Sequence, residues 1–364
     1  MPNSTHFDFF VLGAGLAGLS ISGKLLQKGA SVCLIDTGDI ASGASGTPLG
    51  LVNPATGRFG TKTWRAEECY SGISSDLEKV QEQTPVKFYK KTGILRPSQD
   101  KKMASRMKDN TQQQDWPEGW CTWLNKDEIR SINPELNCVD GGMWLPKGLT
   151  VDSGLYLKSK ADLLKDKGLK VCTNMQYEIE TSQSSFTIST QNEVLQAKWI
   201  IYATGDKTGE LEPWRFLPFN LIKGQLAIFD TPKAGDFDYS ISALGYIASI
   251  SKTRFIAGST YEHDFDHGKP DDEGAEYLIK RLNKVYPALF EEATLVDQWA
   301  GVRASSPNRK PFLGSHPENE DIFVFAGLGS KGLMYSDYLG SLLADYITDE
   351  IKLPKEISIS RHLS

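Results

Sequence analysis

One glycine-rich turn near the start of the chain limits its fold more than any other feature. Residues 7–12 form an apolar run that reads as a buried strand, and Gly13-Ala14-Gly15-Leu16-Ala17-Gly18 follows directly. Leu16, Leu19, Leu25 and Leu26 then recur at roughly helical spacing as far as Lys28 and Gly29. Residues 31–36 form a second apolar strand ending in Asp36. A strand, a G-x-G-x-x-G turn, a helix and a strand within about 30 residues make a βαβ unit with a right-handed crossover and a parallel sheet. Gly13 permits the tight turn, Gly15 lets backbone approach a diphosphate, and Gly18 lets the helix pack on the sheet. The diphosphate rests on free N–H groups at the helix N-terminus, where Leu16 and Ala17 lie. Asp36, with Thr37 beside it, stands where a carboxylate accepts hydrogen bonds from an adenosine ribose.

The rest of the chain extends this plan. At 364 residues it is long enough for two domains. A Gly/Ser/Pro-rich loop covers residues 38–60, and its length marks it as functional. Helices are expected at about 63–83, 155–167, 278–285 and 339–347, with residues 99–115 a surface helix or loop. Strands are expected at 170–173, 199–203 and 323–325, with antiparallel strands between 225 and 261. Trp116, Trp120, Trp123 and Trp144 are expected to pack the substrate domain. Lys and Arg number 40 against 46 Asp and Glu, a net charge of −6 that argues against a broad nucleic-acid surface. The five scattered Cys form no Cys-x-x-Cys pair and read as reduced thiols of a cytoplasmic protein. The five His fit no zinc spacing, so no metal site is expected. No run of about 20 apolar residues is present to span a membrane.

Two further glycine turns bear on whether the dinucleotide is NAD or FAD. Ala203-Thr204-Gly205 closes the strand at 199–203, where backbone approaches the diphosphate in two-motif FAD proteins. Gly327-Leu328-Gly329-Ser330-Lys331-Gly332 lies between a short strand and a helix, with Leu333 next. The N–H groups and positive dipole of that helix end would stabilise the negative charge that reduced flavin carries near N1 and the C2 oxygen. NAD enzymes need no such third contact.

These motifs, with the Ala41-Ser42-Gly43-Ala44-Ser45-Gly46 loop, resemble the D-amino acid oxidase superfamily of FAD flavoproteins over nearly the whole chain. The glycine oxidase branch is similar over Ala300-Gly301-Val302-Arg303 and Lys310-Pro311-Phe312-Leu313-Gly314. The oxidase half of the bifunctional tRNA wobble-uridine modification proteins is similar over Lys223-Gly224-Gln225, Gly245-Tyr246-Ile247, Gly258-Ser259-Thr260-Tyr261 and residues 327–333. No counterpart of their methyltransferase half is seen. The resemblance implies an α/β fold with two discontinuous domains. A Rossmann-like FAD-binding domain would comprise residues 1–85, 146–220 and 300–364. An α+β substrate domain with an antiparallel sheet would comprise residues 86–145 and 221–299. The sarcosine oxidase branch attaches flavin through a C-terminal Cys and uses a strand lysine for oxygen. Here no Cys follows residue 172 and that strand position is Ile256, so FAD is expected to be non-covalent and the acceptor to be O2 or another oxidant.

The resemblance also implies the chemistry and the site. Hydride would pass from the α-carbon of an amino acid or amine to flavin N5, and the imine would hydrolyse. Such a reaction depends on positioning more than on a strong base. Arg303 matches the arginine that clamps the substrate carboxylate, which a guanidinium can bind through both oxygens. Arg309 or Lys310 takes that role if the register differs. Tyr246 and Tyr261 match pocket tyrosines, the first with a hydroxyl for the same carboxylate, and Lys331 matches a position able to hold negative charge on flavin or substrate. Ser42, Ser45 and Gly46 are expected near the diphosphate or ribityl chain and Gly50, Leu51 and Val52 beside the isoalloxazine. Tyr177, Ala203, Thr204, Gly205, Gly327, Gly329, Ser330, Gly332 and Leu333 complete the cofactor contacts. The leading expectation is oxidation of a small amino acid or N-substituted glycine. Removal of a carboxymethyl group from tRNA wobble uridine and a non-catalytic flavoprotein subunit are the alternatives.

Overall fold

The computed structural model describes residues 4–182, 185–189, 193–235 and 237–362. Its first sheet grows from the βαβ unit. Ser4–Leu12 pairs in parallel with Val32–Ile35 on one side and with Val194–Tyr202 on the other, and Lys170–Cys172 extends it in parallel beyond Val32–Ile35. Val194–Tyr202 forks: residues 194–197 pair antiparallel with Phe186–Ser189, while residues 200–202 pair in parallel with Asn319–Ala326. Glu180–Thr181 and Phe312–His316 close the two edges. The central strands are buried apolar runs, as a parallel sheet covered on both faces requires. Helices Leu16–Gln27, Ala66–Gln81, Ser153–Asp166 and Gly332–Thr348 cover one face and share a core with Val11, Leu34 and Ile201.

The second sheet also has eight strands, in the order Thr294–Ser305, Asn220–Asp230, Arg254–Gly258, Tyr246–Ser251, Ser240–Ile241, Ile94–Pro97, Gly141–Leu145 and Thr122–Asn125. All neighbours are antiparallel except Ser240–Ile241 with Ile94–Pro97, so the sheet is mixed rather than purely antiparallel. Helix Asp272–Leu282 packs on it over Leu278 and Leu282. Strand Thr294–Ser305 pairs along its whole length with Asn220–Asp230, so the boundary expected at 299/300 falls inside a strand of this sheet. A small antiparallel sheet of Gly50–Val52, Leu149–Val151 and Tyr89–Lys90 completes the strands of the loop that follows the βαβ unit.

Several elements run longer than periodicity indicates. The last long helix begins at Gly332 rather than 339, because its first turns present small or polar residues that tertiary partners bury. A Cβ on Gly332 would lie 2.8 Å from Leu16 Cδ1, Ser20 Oγ donates to Ser336 O at 2.7 Å, and Lys24 pairs with Asp337 at 2.9 Å. Helix Asp272–Leu282 likewise starts earlier, capped by the Asp271 carboxylate. Residues 101–113 resolve as helix. The tryptophans divide. Trp116 and Trp123 pack against the cluster that holds Met103 and Met143, and Trp144 meets Tyr239, but Trp120 sits edge-on to Tyr70 against the core of the first sheet's helical face. No described helix is long and apolar enough to cross a membrane.

Candidate functional site

The carboxyl ends of three parallel strands set the geometry. Gly13 N–H donates to Ile35 O at 2.8 Å and Ala203 N–H to Leu12 O at 2.8 Å, so the turns after residues 12, 35 and 202 lie side by side. Ligands in open α/β folds bind in the crevice beyond such strand ends. A cavity of about 1550 Å³ opens there and runs on between the two large sheets.

The first helix reaches this cavity with no side-chain cap from its N-cap residue, Gly15. Gly13 has φ +107°, and a Cβ there would sit 2.3 Å from Ala203 O. A Cβ on Gly15 would lie 2.7 Å from Ser45 Oγ, which accepts from Leu16 N–H at 3.1 Å. Asp36 accepts from the backbone N–H of Ala14 at 2.6 Å and of Gly38 at 2.8 Å, which orients its carboxylate at the cavity wall. Tyr177 lies close by, and burial with the Asp36 charge pushes its hydroxyl up to about 12, so it stays neutral. A second helix, Gly332–Thr348, also presents an N-terminus without a side-chain cap to the cavity, through the turn Gly329–Lys331. Two helix N-termini, a backbone cradle closed to any Cβ and an oriented carboxylate fit an extended anionic dinucleotide. No cysteine lines the cavity.

At the far end of the cavity, one strand sorts its side chains by simple alternation. Gly224 faces the cavity, and a Cβ on it would meet Arg303 Nη2 at 1.8 Å. The guanidinium therefore lies over the glycine, with Nη1 donating to Thr260 O at 3.3 Å and the ring of Tyr261 at 5.0 Å. No carboxylate pairs with it among the described residues. Lys223 and Gln225 face the other way. Lys223 is 2% exposed and pairs with Asp271 at 2.5 Å and Glu262 at 3.4 Å. Gln225 Nε2 donates to Asp271 at 2.9 Å and Glu262 at 3.0 Å, and its backbone N–H donates to Thr260 Oγ1 at 2.8 Å. Hydrogen bonds from Lys223 and Gln225 hold the Asp271 carboxyl down at about 2. This network fixes Thr260, whose carbonyl receives Arg303.

Most of the residues singled out from the sequence meet on this one wall, from Gly13, Gly15, Leu16 and Ala17 through Asp36, Thr37, Ser42, Ser45, Gly50, Leu51, Tyr177 and residues 203–205 to Tyr246, Tyr261, Arg303 and residues 327–333. Three do not. Gly18 is buried in helix packing, where a Cβ would lie 1.8 Å from Gly13 O. Gly46 packs on Ala41 O, and Val52 is fully buried in its strand. The hydroxyl of Tyr246 donates to Leu49 O at 2.6 Å, so its proton serves the loop beside it rather than a carboxylate. Lys331 is half-buried, and burial together with Lys310 and Arg309 lowers its ammonium to about 8. Burial also lowers Lys310, which lies over the Trp64 ring at 4.8 Å.

Sequence reasoning missed two buried cations beside this site. One is Lys223, present in a quoted motif without a role. The other is Arg96, 4% exposed, which donates to Ala55 O at 2.8 Å, Gly57 O at 2.5 Å and Ser242 Oγ at 3.2 Å. Arg96 and Tyr246 thus tie the segment after Pro48 to the second sheet from both ends. Nothing in the local pattern around Ile94–Pro97 marks that arginine. The charge of −6 is also unevenly spread: the cavity wall carries ten Lys and Arg but only two Asp and no Glu.

Comparison with known proteins places this arrangement. The family described as FAD dependent oxidoreductase (DAO) matches residues 8–346. The bifunctional tRNA 5-methylaminomethyl-2-thiouridine biosynthesis protein MnmC of Acinetobacter baylyi is 25% identical over 369 residues, covering 95% of this chain and 54% of that protein. The bifunctional protein ThiO/ThiG of Synechocystis sp. is 25% identical over 371 residues, covering 95% of this chain and 52% of that protein. The chain thus spans about half the length of these curated relatives. Among solved structures, glycine oxidase from Geobacillus kaustophilus has a TM-score of 0.85 at 21% identity, covering 99% of this chain and 100% of that one. L-proline dehydrogenase from P. horikoshii has a TM-score of 0.82 at 20% identity, covering 97% and 96%. These likenesses show the fold; the family match over residues 8–346, with which the helix N-termini and the glycine cradle agree, identifies the chain as a member of the DAO family of FAD-dependent oxidoreductases.

Proposed function

We propose that the protein oxidises the C–N bond of a small amino acid or N-substituted glycine. The observation that carries this reading is the posture of Arg303. It is fixed by Gly224, Thr260 and Tyr261, lacks a carboxylate partner, and shares a cavity with the dinucleotide cradle. A guanidinium held in this way is preorganised to take a substrate carboxylate through two oxygens.

Bound FAD would supply the hydride acceptor, and Gly13, Gly15, Leu16, Ala17, Asp36, Ser45 and residues 327–333 would hold it. Arg303 orients the α-carbon by its carboxylate. Lys331, charged below about pH 8, opposes negative charge that accumulates nearby. Arg96 and Tyr246 keep the segment around residues 49–57 in place. No strong base is required of the chain, since the substrate amine reacts in its neutral form and water completes the imine hydrolysis. We further assign residues 1–85, 146–220 and 300–364 to the cofactor domain and 86–145 and 221–299 to the substrate domain, with strand Thr294–Ser305 shared at their border.

The test is anaerobic reduction. Flavin-loaded protein mixed with glycine, N-methylglycine and a panel of amino acids should lose its visible flavin absorbance with at least one of them; no bleaching by any amine would refute the reading. A second reading, carboxymethyl removal from tRNA wobble uridine, is favoured by the basic cavity wall and by the tRNA-modifying relatives, because the same arginine would take an N-linked glycine. Bleaching by modified tRNA alone would select it.

A further inference from the structure

A second arginine on the cavity wall is, like Arg303, tethered by neutral groups and has no acid partner among the described residues. Arg281 lies in the last turn of helix Asp272–Leu282. Its Nε donates to Leu244 O at 2.8 Å and its Nη1 to Tyr277 Oη at 2.7 Å, and its guanidinium lies 5.1 Å from the Tyr277 ring centre. Both tethers are neutral groups. The exposed Arg254, by contrast, spends its donors on the Asp230 carboxylate at 2.7 and 2.9 Å. No carboxylate pairs with Arg281 among the described residues, and its Nη2 donates to none of them. Lys284, just past the helix end, is exposed, lines the same cavity and also has no ion pair among the described residues.

The position of Arg281 relative to Arg303 follows from the sheet. Tyr246 pairs with Gly258 on adjacent strands. Leu244, which holds Arg281, precedes Tyr246 by two residues; Thr260, which holds Arg303, follows Gly258 by two. The two guanidinium groups are therefore anchored at the same end of neighbouring strands, whose axes lie about 4.8 Å apart. Helix Asp272–Leu282 is in turn fixed at its start by Asp271, a member of the network beneath Thr260. The same ion-pair network around buried Lys223 thus underlies the anchors of both arginines.

We propose that Arg281 forms a second oxyanion site in this cavity, so that the substrate carries a second carboxylate or a phosphate besides the carboxylate held by Arg303. Tyr277 keeps the guanidinium in place and Lys284 adds charge at the outer side. The proposal rests on the reading of Arg303 given above. It also gives the unpaired charge of Arg281 a role, because a preorganised arginine without a counter-ion gains more from an oxyanion than a paired one does.

The experiment is calorimetric titration of FAD-loaded protein with acetate, succinate and 3-phosphonopropionate. Wild-type protein should bind one of the two bifunctional probes at least roughly tenfold tighter than acetate. The tighter of the two tells whether the second group is a carboxylate or a phosphate. Arg281→Gln should reduce that preference to within about twofold, and Arg281→Lys, which keeps the charge, should restore part of it. Arg254→Gln should leave every affinity unchanged. Melting temperature and flavin content of each variant verify folding. A wild type without preference, or an Arg281→Gln variant that keeps it, overturns the proposal. Acetate binding that ignores Arg303→Gln overturns the Arg303 reading instead, while an Arg281-dependent affinity for 3-phosphonopropionate would still support the second site.

Discussion

The guanidinium of Arg303 rests over the α-carbon of Gly224, and a single methyl group there would come within 1.8 Å of Nη2. The side chain cannot keep this pose if residue 224 gains a Cβ. Gly224→Ala should therefore act like partial removal of Arg303 while leaving the arginine in the sequence. A charge-assisted hydrogen bond contributes about 1.5–3 kcal/mol, so kcat/KM for a carboxylate substrate should fall roughly 10–150-fold, with flavin content unchanged. Steady-state kinetics of Gly224→Ala beside Arg303→Ala check this. An unchanged KM in Gly224→Ala would mean that the pose over the glycine has no part in binding.

Lys331 gives a chemical signature. An ordinary lysine near 10.5 is almost wholly protonated at pH 8, whereas Lys331, lowered to about 8, is half neutral there. Lysine acylation at pH 8 should mark Lys331 ahead of the exposed lysines in apoprotein, and FAD should protect it. The sign is fixed by the direction of the shift: the folded chain binds fewer protons than the unfolded one between about pH 8 and 10.5, so this group adds stability as pH rises through that window. Peptide mass spectrometry reads the labelling, and equal labelling of Lys331 and Lys352 would contradict the lowered value.

Gly13→Ala should yield colourless protein. The residue combines φ +107° with an Ala203 carbonyl 2.3 Å from where the Cβ would be, and neither backbone segment can give way without moving a strand end. The ratio of flavin to protein after purification measures it. Gly29→Ala, also at positive φ (+83°) but with nothing within 4 Å, is the control that should keep its flavin.

Acid should loosen the substrate side through Asp271. Its folded value of about 2 lies below the usual carboxylate range near 3.9, so the contribution is complete above about pH 4 and is lost as pH falls towards 2. Lys223→Met removes the main cause of the shift, so its urea midpoint should fall less than that of wild type between pH 5 and pH 3. Parallel acid dependence in the two proteins would refute the coupling.

The cofactor side was legible in the sequence because its signals are local. Gly13, Gly15 and Asp36 act within one βαβ unit, and their spacing carries the whole geometry. The last helix was read short because Gly332, Ser336 and Asp337 look unhelpful until Leu16, Ser20 and Lys24 meet them from more than 300 residues away. Lys223 and Arg96 were opaque for the same reason: a buried cation is recognisable only from the acceptors around it, which come from distant strands and turns. Tyr246 was legible as a residue of the cavity wall but not in its hydrogen bond, since Leu49 lies 197 residues away in the chain.

The alternation Lys223-Gly224-Gln225 has a consequence for how errors in this protein would show. Its side chains face opposite surfaces of the sheet, so a slip of one residue against Thr294–Ser305 would exchange the two environments. The lysine would enter the substrate cavity, and the glycine would leave the ion-pair network with a void and two unmatched acids. Strand pairing and the pose of Arg303 are therefore checked by the same three residues: a chain that closes this sheet in the wrong frame cannot bury Lys223, and it fails as a fold before it could act as an enzyme of altered specificity.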